Sequence, residues 1–213
     1  MAADGSGQRQ LTEDPEPDYL PSWSPDGETI VFTSWRVEPG DTARAPHLYT
    51  MRADGSEQRR LLARSLETSA GASYSPDGRW LVYSRKAGEA GANLWVAAAD
   101  GTGERQLTVG ETIYYGSPRF SPDGRWIACY AATDTASALL VMDTTGAQQR
   151  RLLGAGHNWY PQWSPDGRWL VYTAAVDSAM SDIDVFAIPV RGGEPQRLAG
   201  GPGREQEASW RPR

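Results

Sequence analysis

The chain has 213 residues, a formal charge of −6 and 39% hydrophobic residues, the balance of a globular chain large enough to bury a core. The negative charge argues against a nucleic-acid surface, which needs a basic stripe, and no apolar run approaches the ~18 residues of a membrane span. The single cysteine, Cys129, excludes an internal disulfide and reads, within the run WIACY, as a buried filler.

From the N-terminus, residues 1–12 (MAADGSGQRQLT) offer neither a charged n-region nor an apolar core, so no signal peptide is read here. Glu13, Asp14, Glu16 and Asp18 follow among prolines, the pattern of a solvated linker. Residues 23–33 then spell WSPDGETIVFT. The same phrase returns as YSPDGRWLVYS at 74–84, FSPDGRWIACY at 120–130 and WSPDGRWLVYT at 163–173.

A second phrase alternates with the first. It begins in residues 1–12 and returns as MRADGSEQRRLL at 51–62, AAADGTGERQLT at 97–108, MDTTGAQQRRLL at 142–153 and PVRGGEPQRLA at 189–199. Its leucines, Leu11, Leu61, Leu107, Leu152 and Leu198, are 50, 46, 45 and 46 residues apart. Self-similarity at such a period is the mark of a repeat architecture.

Each repeat reads as four strands. A short first strand ends on an aromatic residue: Trp23, Tyr74, Phe120, Trp163 and again Trp210. S-P-D-G makes a tight turn, because proline presets its first corner and glycine takes the left-handed position. The second strands, such as TIVFT and WLVYS, are β-branched and aromatic with little polar alternation, so both faces should be buried. Third strands such as LYTM and LWVA lead into Asp54-Gly55 or Asp100-Gly101, read as primed two-residue hairpins. The fourth strand is polar and rich in arginine, as an outermost strand should be. Four antiparallel strands every ~46 residues describe a β-propeller blade. The expected fold is therefore all-β: about four four-stranded blades with partial strands at the ends. The boundaries fall at 1–12 (partial), about 13–62, 63–108, 109–153 and 154–199, and 200–213 (partial), all in one propeller domain.

The pairing of the S-P-D-G-R-W-L-V-Y phrase with the A-D-G-x-x-x-R-R-L-T phrase resembles the TolB-type propeller repeats, a WD-repeat-like family, over nearly the whole chain. The third repeat's TTG and the last repeat's RGG depart from A-D-G. The resemblance implies a non-catalytic binding or scaffold module with a protein or peptide partner, and an extracytoplasmic setting by analogy alone. Open blade ends add self-association into a homo-oligomer to that expectation. The alternatives are a lyase-like carbohydrate-active enzyme and a repeat fragment, natural or engineered, that only assembles.

The two hairpin sets fall on one face of such a disc, and the longer, divergent loops and links on the other. That second face is the expected functional face. Tyr19, Tyr114, Tyr115, Trp159 and Tyr160 lie in the links before the first strands, where they either ring the channel mouth or pack between blades. His157 stands beside Trp159. The residues put forward for a partner or ligand face are Tyr19, Tyr115, His157 and Trp159. Enzyme signatures are missing: there is no G-x-S-x-G elbow, and His47 and His157 stand in different repeats with a single cysteine between them. No catalytic residue, metal or cofactor is expected. Asp177, Asp182 and Asp184 do not match the spacing of an EF-hand loop. Asp26, Asp77, Asp123 and Asp166 are read as turn residues.

Overall fold

A computed structural model describes residues 6–41, 44–62, 69–87, 89, 91–154, 156–177, 179–201, 203, 205 and 208–210. Of the expected partial blades at 1–12 and 200–213, residues 1–5 and 211–213 lie outside the described residues, as do several positions between 200 and 208. The described residues form sixteen strands and no helix. The first unit holds β1 (Asp18–Trp23), β2 (Thr29–Ser34), β3 (His47–Arg52) and β4 (Arg59–Arg60). The second holds β5 (Ser69–Tyr74), β6 (Trp80–Ala87), β7 (Gly91–Ala98) and β8 (Arg105–Gln106). The third holds β9 (Tyr114–Phe120), β10 (Trp126–Ala132), β11 (Ser137–Asp143) and β12 (Gln149–Arg151). The fourth holds β13 (Asn158–Trp163), β14 (Trp169–Ala175), β15 (Ile183–Pro189) and β16 (Gln196–Ala199).

Within each unit the strands pair antiparallel in chain order, and one parallel pair, Ala92 with Tyr114, joins the second unit to the third. The middle strands are buried on both faces, as their unalternating sequences require: five consecutive residues of β2 and five of β3 are buried. The core consists of layers between sheets. One layer joins Val31 and Leu48 to Tyr74, Leu81 and Tyr83, and equivalent layers separate the second unit from the third and the third from the fourth.

The S-P-D-G turn is built four times in the same way. Gly27, Gly78, Gly124 and Gly167 adopt φ between 69° and 73°. Each aspartate accepts a hydrogen bond from the preceding serine hydroxyl at 2.5–2.6 Å. That hydroxyl in turn accepts the amide that opens the second strand, at 2.9–3.0 Å. The four aspartates are committed to local turns. In Asp77, the Ser75 hydroxyl and then Arg79 pull the carboxyl down to about 2.

The second hairpin departs from the expected primed turn. Gly55 donates to the Arg52 carbonyl at 2.8 Å with φ 86°, while Asp54 keeps a negative φ. A primed turn needs positive φ at its first central residue, and type I′ at both. Here both hairpins of a unit are type I turns closed by a left-handed glycine, and this matches the right-handed strand twist equally well.

The fourth strands are short: β4, β8 and β12 end before their leucines, whereas β16 runs through Leu198. Leu61 and Leu107 turn inward, and their carbonyls lie against the next unit's hairpin. A Cβ on Gly101 would stand 2.4 Å from the Leu61 oxygen, and one on Gly146 would stand 2.3 Å from that of Leu107. The hairpin glycine therefore serves the contact between units as well as the turn. Residues 9–11 repeat the arrangement against the first unit: Gly55 meets Leu11, Gln58 donates to the Leu11 carbonyl, and Arg9 donates to the Asp54 carbonyl. At the other end, Trp210 donates its indole N–H to the Gln162 carbonyl, as Trp163 does to Arg119.

Candidate functional site

The first strand of every unit carries the same irregularity. Leu20, Gly71, Ser117 and Tyr160, each three residues before the strand's final aromatic, have φ of 53°, 65°, 46° and 54°. Pairing with the second strand shifts register at each of these places. Such a bulge bends the strand and re-aims the side chains beside it. A left-handed non-glycine residue costs about 1–2 kcal/mol, and three of the four positions bear that cost.

The bulged strands enclose a cavity of about 620 Å³. Tyr19, Tyr114, Tyr130 and Tyr160 line it, with Arg119 and Gln162. Tyr114 and Tyr130 stack with ring centres 6.1 Å apart, and Tyr160 meets the Tyr130 ring edge-on at 6.2 Å. Tyr130 fits because its partner across the strands is Gly116: a Cβ there would stand 2.3 Å from the ring. Burial, and then the neighbouring phenols, push the Tyr114 and Tyr130 hydroxyls above their ordinary range, and burial does so for Tyr19. These groups are neutral hydrogen-bond donors and acceptors at physiological pH. No acidic side chain is among the described residues lining the cavity, and Arg119 is its one cation.

Of the residues put forward from sequence, Tyr19 lines this cavity. Tyr115 does not. It is buried in the layer between the second and third units, because consecutive strand residues point to opposite faces and Tyr114 takes the outward one. His157 and Trp159 stack on each other at 5.6 Å and stand outside the cavity lining. Tyr130 went unrecognised because it lies in a second strand, where an aromatic reads as core; the signal was Gly116, directly opposite. His47 is buried beside Arg60, whose guanidinium is 2.7 Å from its ring, and burial followed by that charge lowers its pKa. Asp177, Asp182 and Asp184 do not converge: Asp177 bonds Ser181, Asp182 accepts the Gly203 amide, and Asp184 pairs with Arg197. Among the described residues, no group of three His, Cys, Asp or Glu is placed to hold a metal ion. No helix of the described residues is long and apolar enough to cross a membrane.

Comparison with solved structures places the sheets in a known frame. TolB from Acinetobacter baumannii superposes with a TM-score of 0.77 at 17% identity, covering 96% of this chain and 49% of that one. A protein designated TolB from Agrobacterium tumefaciens gives 0.65 at 22% identity, covering 92% and 86%. An oligogalacturonate lyase in complex with manganese gives 0.64 at 16%, covering 89% and 55%. The chain thus spans about half the length of the Acinetobacter protein. No curated protein matches it by sequence. The family model of the TolB beta propeller domain matches residues 1–155, well over half of the chain, and this chain belongs to that family.

Proposed function

We propose that the chain is a non-catalytic binding module, and that its bulged first strands present the tyrosine-lined cavity to a protein or peptide partner. The observation that supports this is the composition of the cavity. Four phenols offer broad, rigid contact surface, and each carries a polar tip, the combination that interfaces favour. The donors a reaction would need are absent from the described lining: phenols, one guanidinium and one amide supply neither a general base of suitable pKa nor a fitting set for a divalent metal.

A defined library of displayed dodecapeptides, selected on the folded chain, tests the reading. Selected clones should lose most of their affinity for the Tyr114→Ala and Tyr160→Ala variants in fluorescence anisotropy, with thermal stability largely retained. Clones that bind both variants as tightly as the parent would refute it.

Self-association is a second reading, favoured by one observation. Trp23 is 55% exposed and Leu198 is 54% exposed, whereas their counterparts Tyr74, Leu61 and Leu107 are buried against neighbouring units. Each would be covered by another blade of the same kind. Light scattering then gives a multiple of the 23.3 kDa chain mass, and Trp23→Ser returns it to that mass.

A further inference from the structure

The hairpin face, opposite the proposed partner face, carries two equivalent grooves between units. The first, about 560 Å³, lies between the second and third units and is lined by Trp80, Phe120, Asp77, Asp123, Arg79 and Arg105. The second, about 960 Å³, lies between the third and fourth and is lined by Trp126, Trp163, Asp123, Asp166, Arg150, Arg168 and Arg191. Trp80 and Trp126 each open a second strand and are 44% and 36% exposed.

The fold does not require these indoles. The first unit has Thr29 at the same place, and its amide donates to the Ser24 hydroxyl at 2.9 Å, as Trp80 does to Ser75 at 3.0 Å and Trp126 to Ser121 at 2.9 Å. The hairpin is therefore complete without the aromatic ring. An indole held half in water by a rigid turn, at the same place in two successive grooves, is a contact surface in search of a partner.

The polar groups around it narrow the partner's chemistry. In the first groove two carboxylates face two guanidiniums, so donors and acceptors are present without a net field. The carboxylates are fixed as acceptors by their turns, and Asp123 uses only its Oδ1 in the bonds that hold its own turn. Arg105 is anchored on the Thr144 and Thr145 carbonyls and Arg150 on that of Val190, which fixes the guanidiniums in place. An ion of either sign gains little in the first groove, and in the second Arg191 leaves a single guanidinium in excess. A ligand with one flat apolar face and a rim of groups that both donate and accept gains from every element of such a site.

We propose that the two grooves form a repeated binding site for neutral oligosaccharides of gluco configuration, with one pyranose on Trp80 and one on Trp126. With all ring hydroxyls equatorial, the axial C–H groups make the apolar face and the hydroxyls make the rim. This site is independent of the tyrosine cavity.

Cellohexaose and chitohexaose are the probes, titrated into the full chain by calorimetry with tryptophan fluorescence in parallel. At least one should bind with a Kd of about 1 mM or tighter. Trp80→Thr and Trp126→Thr, which install the first unit's own residue, should each weaken binding about tenfold, a loss of about 1.4 kcal/mol, and together abolish it. Their melting temperatures should match the parent, and Tyr114→Ala should bind as the parent does. Absence of binding by both hexasaccharides overturns the proposal. So does binding that survives the double substitution, and so does tighter binding of an oligogalacturonate of the same length, which would contradict the charge balance.

Discussion

Replacing Gly101 by alanine probes how the units are held to each other. Two costs can be separated at this position. Gly101 has φ 87°, and a side chain in the left-handed region costs about 1–2 kcal/mol. The added Cβ also meets the Leu61 backbone, 2.4 Å from its oxygen and 3.2 Å from its carbonyl carbon. Backbone cannot swing aside as a flexible side chain can, so the sheets must separate locally, an overpacking cost of about 1–3 kcal/mol. The sum is about 2–5 kcal/mol, and in a chain of this size each kilocalorie lowers the melting temperature by about 2–4 °C. Gly103, two residues on, is the control: its φ is 66° and nothing lies within 4 Å of an added Cβ. Gly103→Ala bears only the backbone cost. Thermal unfolding followed by circular dichroism should show Gly101→Ala less stable than Gly103→Ala by about 1–3 kcal/mol. Equal losses would mean that the contact between units contributes nothing and that only the turn matters.

Three further outcomes follow from the same structure. Burial raises the Tyr74 and Tyr83 hydroxyls from an ordinary value of 10.0 to about 12. Below pH ~10 both states hold these protons and stability is unaffected; above it the unfolded chain releases them first, so stability should fall as pH rises from ~10 toward ~12. Phenolate absorbance rising before any unfolding would contradict this. Cys129 is fully buried and its thiol is pushed up to about 12, so a thiol reagent at mildly alkaline pH should label it only as the chain opens. Fast labelling of the native chain would refute the burial. Ser121→Ala removes the hydroxyl that donates to Asp123 and accepts from Trp126, and should cost about 1–3 kcal/mol by chemical denaturation; no change would mean that the turn holds itself.

The repeat made the fold legible. S-P-D-G fixes a turn, an unalternating apolar run fixes a doubly buried strand, and recurrence at ~46 residues marks the four-stranded sheet as the repeating piece. What the phrase could not reveal was where one unit touches another. Gly55 and Gly101 read as turn glycines in any hairpin, and only the neighbouring Leu11 and Leu61 carbonyls show their second role. The type of that hairpin was misread for a related reason: Asp-Gly favours a primed turn in isolation, whereas here the residue before it joins the turn and the glycine closes it. The bulges were invisible because Leu20, Ser117 and Tyr160 are not residues that announce a left-handed backbone. Tyr19 lies within β1 and not in a link before it, and it lines the cavity beside the bulge at Leu20. Tyr115 is one residue from the cavity-lining Tyr114, which in a strand is the whole distance from one face to the other.

The cavity itself arises where one unit breaks the repeat. At the cross-strand pair beside the bulge, the first unit has Tyr19 opposite Thr33, the second Ala70 opposite Ser84, and the fourth Trp159 opposite Thr173. The third exchanges the sizes: Gly116 stands opposite Tyr130. The two departures need each other, since a Cβ at 116 would lie 2.3–2.7 Å from three atoms of the Tyr130 side chain. A double-substitution cycle measures this. Gly116→Ala alone should cost about 1–3 kcal/mol through overpacking. In a Tyr130→Ser background the same change should cost little, because alanine opposite serine is the second unit's own arrangement. The coupling between the two positions should then be about 1–3 kcal/mol. Additive effects would mean that Tyr130 moves away freely, and the stacked tyrosines would not be a fixed surface. A large coupling would show that the ring is locked over Gly116, so that the surface offered to a partner is set before the partner arrives, and less ordering is left for binding to bear.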